Sequence, residues 1–138
     1  MKEKILWGQR KNPKKNEIIG GHSPDINNSH PNYATEIIKR NPDGTMDIKY
    51  TTQFPDGKLA KIKNSTIFPE VWTDTKILDS IKNIGNSSSI SVRGRDGATL
   101  HRQIVDGVEI DVIKLGDNII SGYPTGKVNA PLPGGFSK

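Results

Sequence analysis

Apolar and polar residues alternate along much of this chain with the period of a half-buried strand, and one stretch alone keeps the period of a helix. Val108, Ile110 and Val112 are separated by Glu109 and Asp111, which predicts a strand with one face buried and the other wet. Comparable β-friendly runs cover Tyr33 to Arg40, Thr45 to Phe54, Lys58 to Phe68, Ile90 to Arg93, Thr99 to Val105 and Asn118 to Tyr123. Turn signals divide them: Asn41-Pro42-Asp43-Gly44, Pro55-Asp56-Gly57, Asp96-Gly97, Asp106-Gly107 and Gly116-Asp117. The first three runs predict an antiparallel meander and the later ones a set of hairpins. Between the groups, Ile77, Leu78, Ile81 and Ile84 fall on one face of a helix spanning about residues 73–84. Thr73 is its N-cap, Asp74 suits the positive end of the dipole, and Gly85 is a C-terminal stop. That face is expected to pack on the sheet, with Trp72 at its edge.

The ends read differently. Residues 1–17 carry Lys2, Lys4, Arg10, Lys11, Lys14 and Lys15, with apolar content limited to Ile5, Leu6 and Trp7. A short ordered segment at Ile5 to Gly8 is expected, then a polar loop broken by Pro13. Ile18 and Ile19 lead into Gly20-Gly21-His22, and residues 23–32 have the composition of a loop. Residues 127–138, rich in Pro, Gly and Lys, are expected to be a flexible tail lying loosely on the surface. Strands, one helix, then more strands describe an α+β domain over residues 1–126 with an antiparallel sheet and the helix packed on it.

Composition narrows what such a domain can do. A chain of 138 residues with a formal charge of +5 favours a polyanionic partner, either nucleic acid or an acidic protein. It contains no cysteine, so disulfides and thiolate metal sites are excluded and the fold is indifferent to redox state. No apolar run reaches transmembrane length and no signal-peptide core is present. There is no P-loop, no HExxH, no dinucleotide fingerprint and no nucleophile elbow. The scattered histidines offer no closed metal site.

Of the three histidines, His22 alone stands in a frame where paired glycines let the backbone turn tightly and a substrate come close. Acid–base work on RNA is one reading; a surface turn that happens to contain a histidine is the plainer one. His30 lies in the following loop, within reach of His22 or merely exposed. His101 reads as a packing partner inside a strand. Lys49, between Ile48 and Tyr50, faces either solvent or a cleft on the open face of the sheet, and solvent is the simpler choice. RNA cleavage without a metal needs a base for the 2′-OH proton, an acid for the leaving 5′-oxygen and a cation for the charge building on phosphorus. Histidine titrates in the right range for either proton transfer.

Four segments, in order, resemble the bacterial branch of the EndoU ribonuclease family, found as toxin tips of contact-dependent and polymorphic toxin systems. Gly20-Gly21-His22 matches its glycine-histidine turn, and Gly44-Thr45-Met46-Asp47-Ile48-Lys49 resembles the strand bearing its lysine. Ser65-Thr66-Ile67-Phe68-Pro69 with Trp72 resembles its "S-T-F-F-P…W" segment, and Ser121-Gly122-Tyr123-Pro124 its closing "T-x-Y-P". The family's first histidine stands in an "H-I-L-x-G" segment; here Lys4-Ile5-Leu6-Trp7-Gly8 carries a lysine in its place. Either Lys4 or His30 is then the partner of His22.

The resemblance implies a barnase-like fold and a metal-independent, cofactor-free endoribonuclease leaving 2′,3′-cyclic phosphate and 5′-hydroxyl ends. His22 acts as acid or base, Lys49 as electrostatic stabiliser, Ser121 as a hydrogen-bonding group, and Tyr123 stacks on the nucleotide. Arg10, Lys11, Thr66 and Thr125 are expected to contact substrate. It further implies a toxin acting on tRNA in the cytoplasm of a target cell, monomeric when free and neutralised by an acidic immunity protein. Such a domain arrives as the C-terminal tip of a secreted or cell-surface effector, and Met1 is then not its natural first residue. A non-catalytic basic binding module and a metal-dependent nuclease are the competing readings.

Overall fold

The computed structural model describes residues 2–137; Met1 lies outside them. The elements run α1 (Lys2–Trp7), β1 (Gln9–Arg10), β2 (Ile18–Ile19), β3 (Tyr33–Arg40), β4 (Met46–Thr52), β5 (Lys63–Ile67), α2 (Asp74–Gly85), β6 (Ser91–Val92), β7 (Thr99–Val105), β8 (Val108–Leu115) and β9 (Asn118–Pro124). They form a two-stranded ribbon β1-β2, a three-stranded sheet β3-β4-β5 and a four-stranded sheet β6-β7-β8-β9, all antiparallel. The fold is α+β, with α2 as its main helix.

The turns explain most of this order. Gly44, Gly57, Gly97, Gly107 and Gly116 all have positive φ, as the turn signals require. Thr73 caps α2 by accepting from the Lys76 N–H at 3.1 Å. Ile77, Ile81 and Ile84 are fully buried between α2 and β8, each contributing about 1.5–3 kcal/mol by burial. Trp72, expected at the edge of that face, is itself in the core and stacks on Phe68 with ring centroids 5.5 Å apart. Gly85 does not stop the helix by turning left-handed. The helix runs through it, and Asn86, with φ −87°, ends it by donating its N–H to preceding carbonyls.

Three elements differ from the sequence reading. Lys2–Trp7 is a helix, although six residues cannot hold one alone. Its last-turn carbonyls at Lys4, Ile5 and Leu6 accept from the N–H groups of Gly21, His22 and Ser23 at 2.9, 2.8 and 2.9 Å, so a distant loop completes it. The β8 strand has no wet face: Glu109 and Asp111 are 2% and 1% exposed. What covers them is the segment after Gly126, expected to lie loosely. Phe136 packs with Ala98, Leu100 and Ile113, and Glu109 accepts from the backbone N–H of Asn129 and Ala130. Arg102 closes the arrangement with two bonds to Asp111, 2.6 and 2.9 Å, and a third to the Ala130 carbonyl.

Candidate active site

The paired glycines earn their place. Gly20 and Gly21 have φ of +81° and +85°, and a Cβ would come within 1.9 Å of the Lys4 carbonyl oxygen at the first and 2.1 Å of the Tyr50 hydroxyl at the second. No side chain fits either position. Tyr50 Oη and Lys63 Nζ donate to the Gly20 carbonyl at 3.0 and 2.9 Å, and Ser65 Oγ to that of Gly21 at 2.7 Å. The bend is therefore fixed from α1 on one side and from β4 and β5 on the other.

It presents His22 to a cleft of about 720 Å³ between α1, the edge strand β5 and the edge strand β9. His22 Nδ1 lies 2.8 Å from the Thr66 carbonyl oxygen and 3.1 Å from Ser65 Oγ. A carbonyl only accepts, so Nδ1 carries the proton and Nε2 keeps its lone pair. Burial, then the nearby Lys63 and Lys4, push the His22 pKa down to about 4, against the opposing pull of the Thr66 bond. At neutral pH the ring is an uncharged acceptor.

Lys4 and Lys63 line the same cleft. Burial, then the neighbouring Lys4, lowers Lys63 to about 8, and burial lowers Lys4. The Lys4 ammonium donates to the Ile120 carbonyl. That carbonyl is free because the β8–β9 register slips there, with Ile113 opposite Ser121 but Lys114 opposite Ile119. Ser121 and Tyr123 follow on the cleft side of β9. The Tyr123 ring lies 5.8 Å from that of His22, and burial with the nearby Asp111 raises its phenol to about 12. Tyr123 thus stays a neutral donor and an aromatic surface.

The expected site residues divide by location. His22, Lys4, Ser121, Tyr123 and Thr66 come together in the cleft. Lys49 does not join them: it stands exposed opposite Glu36 and Asn64, on the face of β4 that Ile48 and Tyr50 turn away from, beside a separate hollow. His30 is also elsewhere, packed at 5.2 Å from Trp7 and 4.9 Å from Tyr33. Arg10 pairs with Asp56 at 2.7 Å and lies over the Phe54 ring, and it donates to the Lys15 carbonyl at 2.8 Å and to Asn16 Oδ1 at 2.7 Å, so it clamps the 11–16 loop. Lys11 is exposed, 3.8 Å from Glu17. Thr125 donates to Glu109 at 3.0 Å, on the covered face of β8. His101 is buried between the Ser87 carbonyl and the Thr99 hydroxyl, both at 2.8 Å, as a packing partner.

Sequence reasoning passed over Lys63. Its signal is the alternation Lys63, Ser65, Ile67, which puts two polar groups on the face of β5 that continues into the core. The model of the family described as bacterial EndoU nuclease matches residues 1–126, the stretch holding every cleft residue named above. No curated protein and no solved structure matches the chain.

Proposed function

The chain belongs to the bacterial EndoU nuclease family, whose substrate is nucleic acid, and from that membership we propose a metal-independent endoribonuclease. The observation that carries this reading is a neutral imidazole whose Nε2 has no partner among the described residues, sharing one cleft with two ammonium groups. His22 Nε2 takes the proton from a ribose 2′-OH. The freed oxygen bonds to the adjacent phosphorus as the bond from phosphorus to the 5′-oxygen breaks. Lys63, near pKa 8, returns a proton to that leaving oxygen, and Lys4 holds its charge against the phosphate. The products are a 2′,3′-cyclic phosphate and a 5′-hydroxyl. Ser121 hydrogen-bonds the substrate and Tyr123 stacks on a base. In this reading Lys4 takes the electrostatic role expected of Lys49, and Lys63, rather than Lys4 or His30, is the acid–base partner of His22.

In the same reading the domain is a toxin that cuts tRNA in a target cell. It acts as a monomer after delivery on a larger secreted or cell-surface effector. A cationic cleft of this kind is blocked most directly by an acidic protein, the immunity partner of the producing cell.

Total tRNA incubated with the protein in EDTA is expected to be cut, with the cut lost in His22→Ala and blocked by a 2′-deoxy substitution at the scissile position. Cutting that needs added metal, or equal cutting by the variant, overturns the proposal.

A further inference from the structure

The cleft is chemically two-sided. Lys4 and Lys63 make one side cationic, as a phosphate requires. On the other side stand Ile38, Asp47 and Asn64. Ile38 is the residue left unpaired by the β3–β4 bulge between Ile37 and Lys39, and it is half exposed, at 50%. Bulges beside a site re-aim a side chain, and this one sets an apolar surface next to a carboxylate.

Among the described residues Asp47 is the sole carboxylate lining the cleft, and it forms no ion pair there. Its Oδ1 accepts from Thr66 Oγ1 at 2.9 Å and from Asn41 Nδ2 at 3.1 Å. Both are neutral donors and both choose the same oxygen, so Oδ2 is left without a partner among the described residues. Thr66 also ties the group to the chemistry, since its carbonyl accepts from His22 Nδ1. An anion held rigidly in a phosphate-binding cleft works against binding the backbone. It is useful toward a part of the substrate that offers neutral N–H donors.

Resting on the nuclease reading, we propose that Asp47 determines base specificity: Oδ2 accepts a hydrogen bond from an N–H on the Watson–Crick edge of a nucleobase lying against Ile38. An unstacked base read on that edge is the usual mode of single-stranded RNA recognition, and a carboxylate can only accept.

The test uses DNA oligonucleotides with a single ribonucleotide, in sets that vary the base on either side of the one cleavable linkage. Asp47→Asn keeps an oxygen for Thr66 and Asn41 while replacing Oδ2 with a donor. Wild type is expected to prefer one base at one of the two positions by about tenfold, and Asp47→Asn to lose or redirect that preference. Blocking the N–H of the preferred base by N-methylation is expected to cost wild type about tenfold and the variant nothing. A preference unchanged in the variant, uniform cutting by wild type, or an equal change on every base overturns this inference and leaves the nuclease reading standing. No cutting of any substrate by wild type overturns both.

Discussion

Two parts of this molecule hold charge away from water, and they treat it in opposite ways. Under the C-terminal segment, the Arg102 guanidinium grips Asp111 through two bonds, and Glu109 accepts from Thr125, Asn129 and Ala130. The charges there are opposite and saturated with partners. In the cleft, Lys4 and Lys63 meet only backbone carbonyls among the described residues, at Ile120 and Gly20; Lys4 lies near enough to lower the pKa of Lys63, and both lower that of His22. The first arrangement fixes a shape. The second leaves two ammonium groups without an ion-pair partner among the described residues, at the cost of stability, which is what the proposed phosphate site needs.

That contrast is broken or sharpened by substitution. The largest effect is expected in the cleft: His22→Ala lowers the cleavage rate about a thousandfold, read by single-turnover assay, with circular dichroism unchanged. Next, Arg102→Ala leaves two buried carboxylates without their cation and destabilises the fold by about 3 kcal/mol, read as a lower urea midpoint, with cleavage per folded molecule unaltered. Lys63→Met carries the opposite sign. Because folding lowers this amine from 10.5 to about 8, the unfolded chain binds more protons between those values and stability rises with pH across that window. Below pH 8 the cost of the buried charge is fully present. Removing the charge is expected to stabilise the protein by roughly 1 kcal/mol, after discounting for screening, while cleavage falls. Lys49→Ala is the smallest, changing cleavage less than about twofold, because an exposed lysine outside the cleft contributes only a screened field.

The strands were legible because their turns were written in glycine and aspartate. Asp106-Gly107 and Gly116-Asp117 join β7, β8 and β9 where expected. The α2 helix was legible from Thr73 and the isoleucine stripe. What failed depended on contacts far apart in the chain. Lys2–Trp7 is helical because residues 21–23 complete its carbonyls, and Glu109 and Asp111 are buried because residues 129–136 return over them. His22 was legible as a candidate through the glycines that frame it, since Gly20 and Gly21 are needed by local geometry. Lys63 was not, because strand alternation sorts residues onto two faces without saying which face a distant loop will turn into a cleft.

The central claim is that a neutral imidazole works beside a charged amine in that cleft, and the pH dependence of cleavage tests it most directly. On a single-site RNA in EDTA, under single-turnover conditions, the rate is expected to rise with a midpoint near pH 4, as His22 loses its proton. It should stay level through neutrality and fall with a midpoint near pH 8, as Lys63 loses its own. In Lys63→Arg the alkaline fall should move beyond the range measured. A rise centred near 6.5, or an alkaline limb that Lys63→Arg leaves in place, contradicts it.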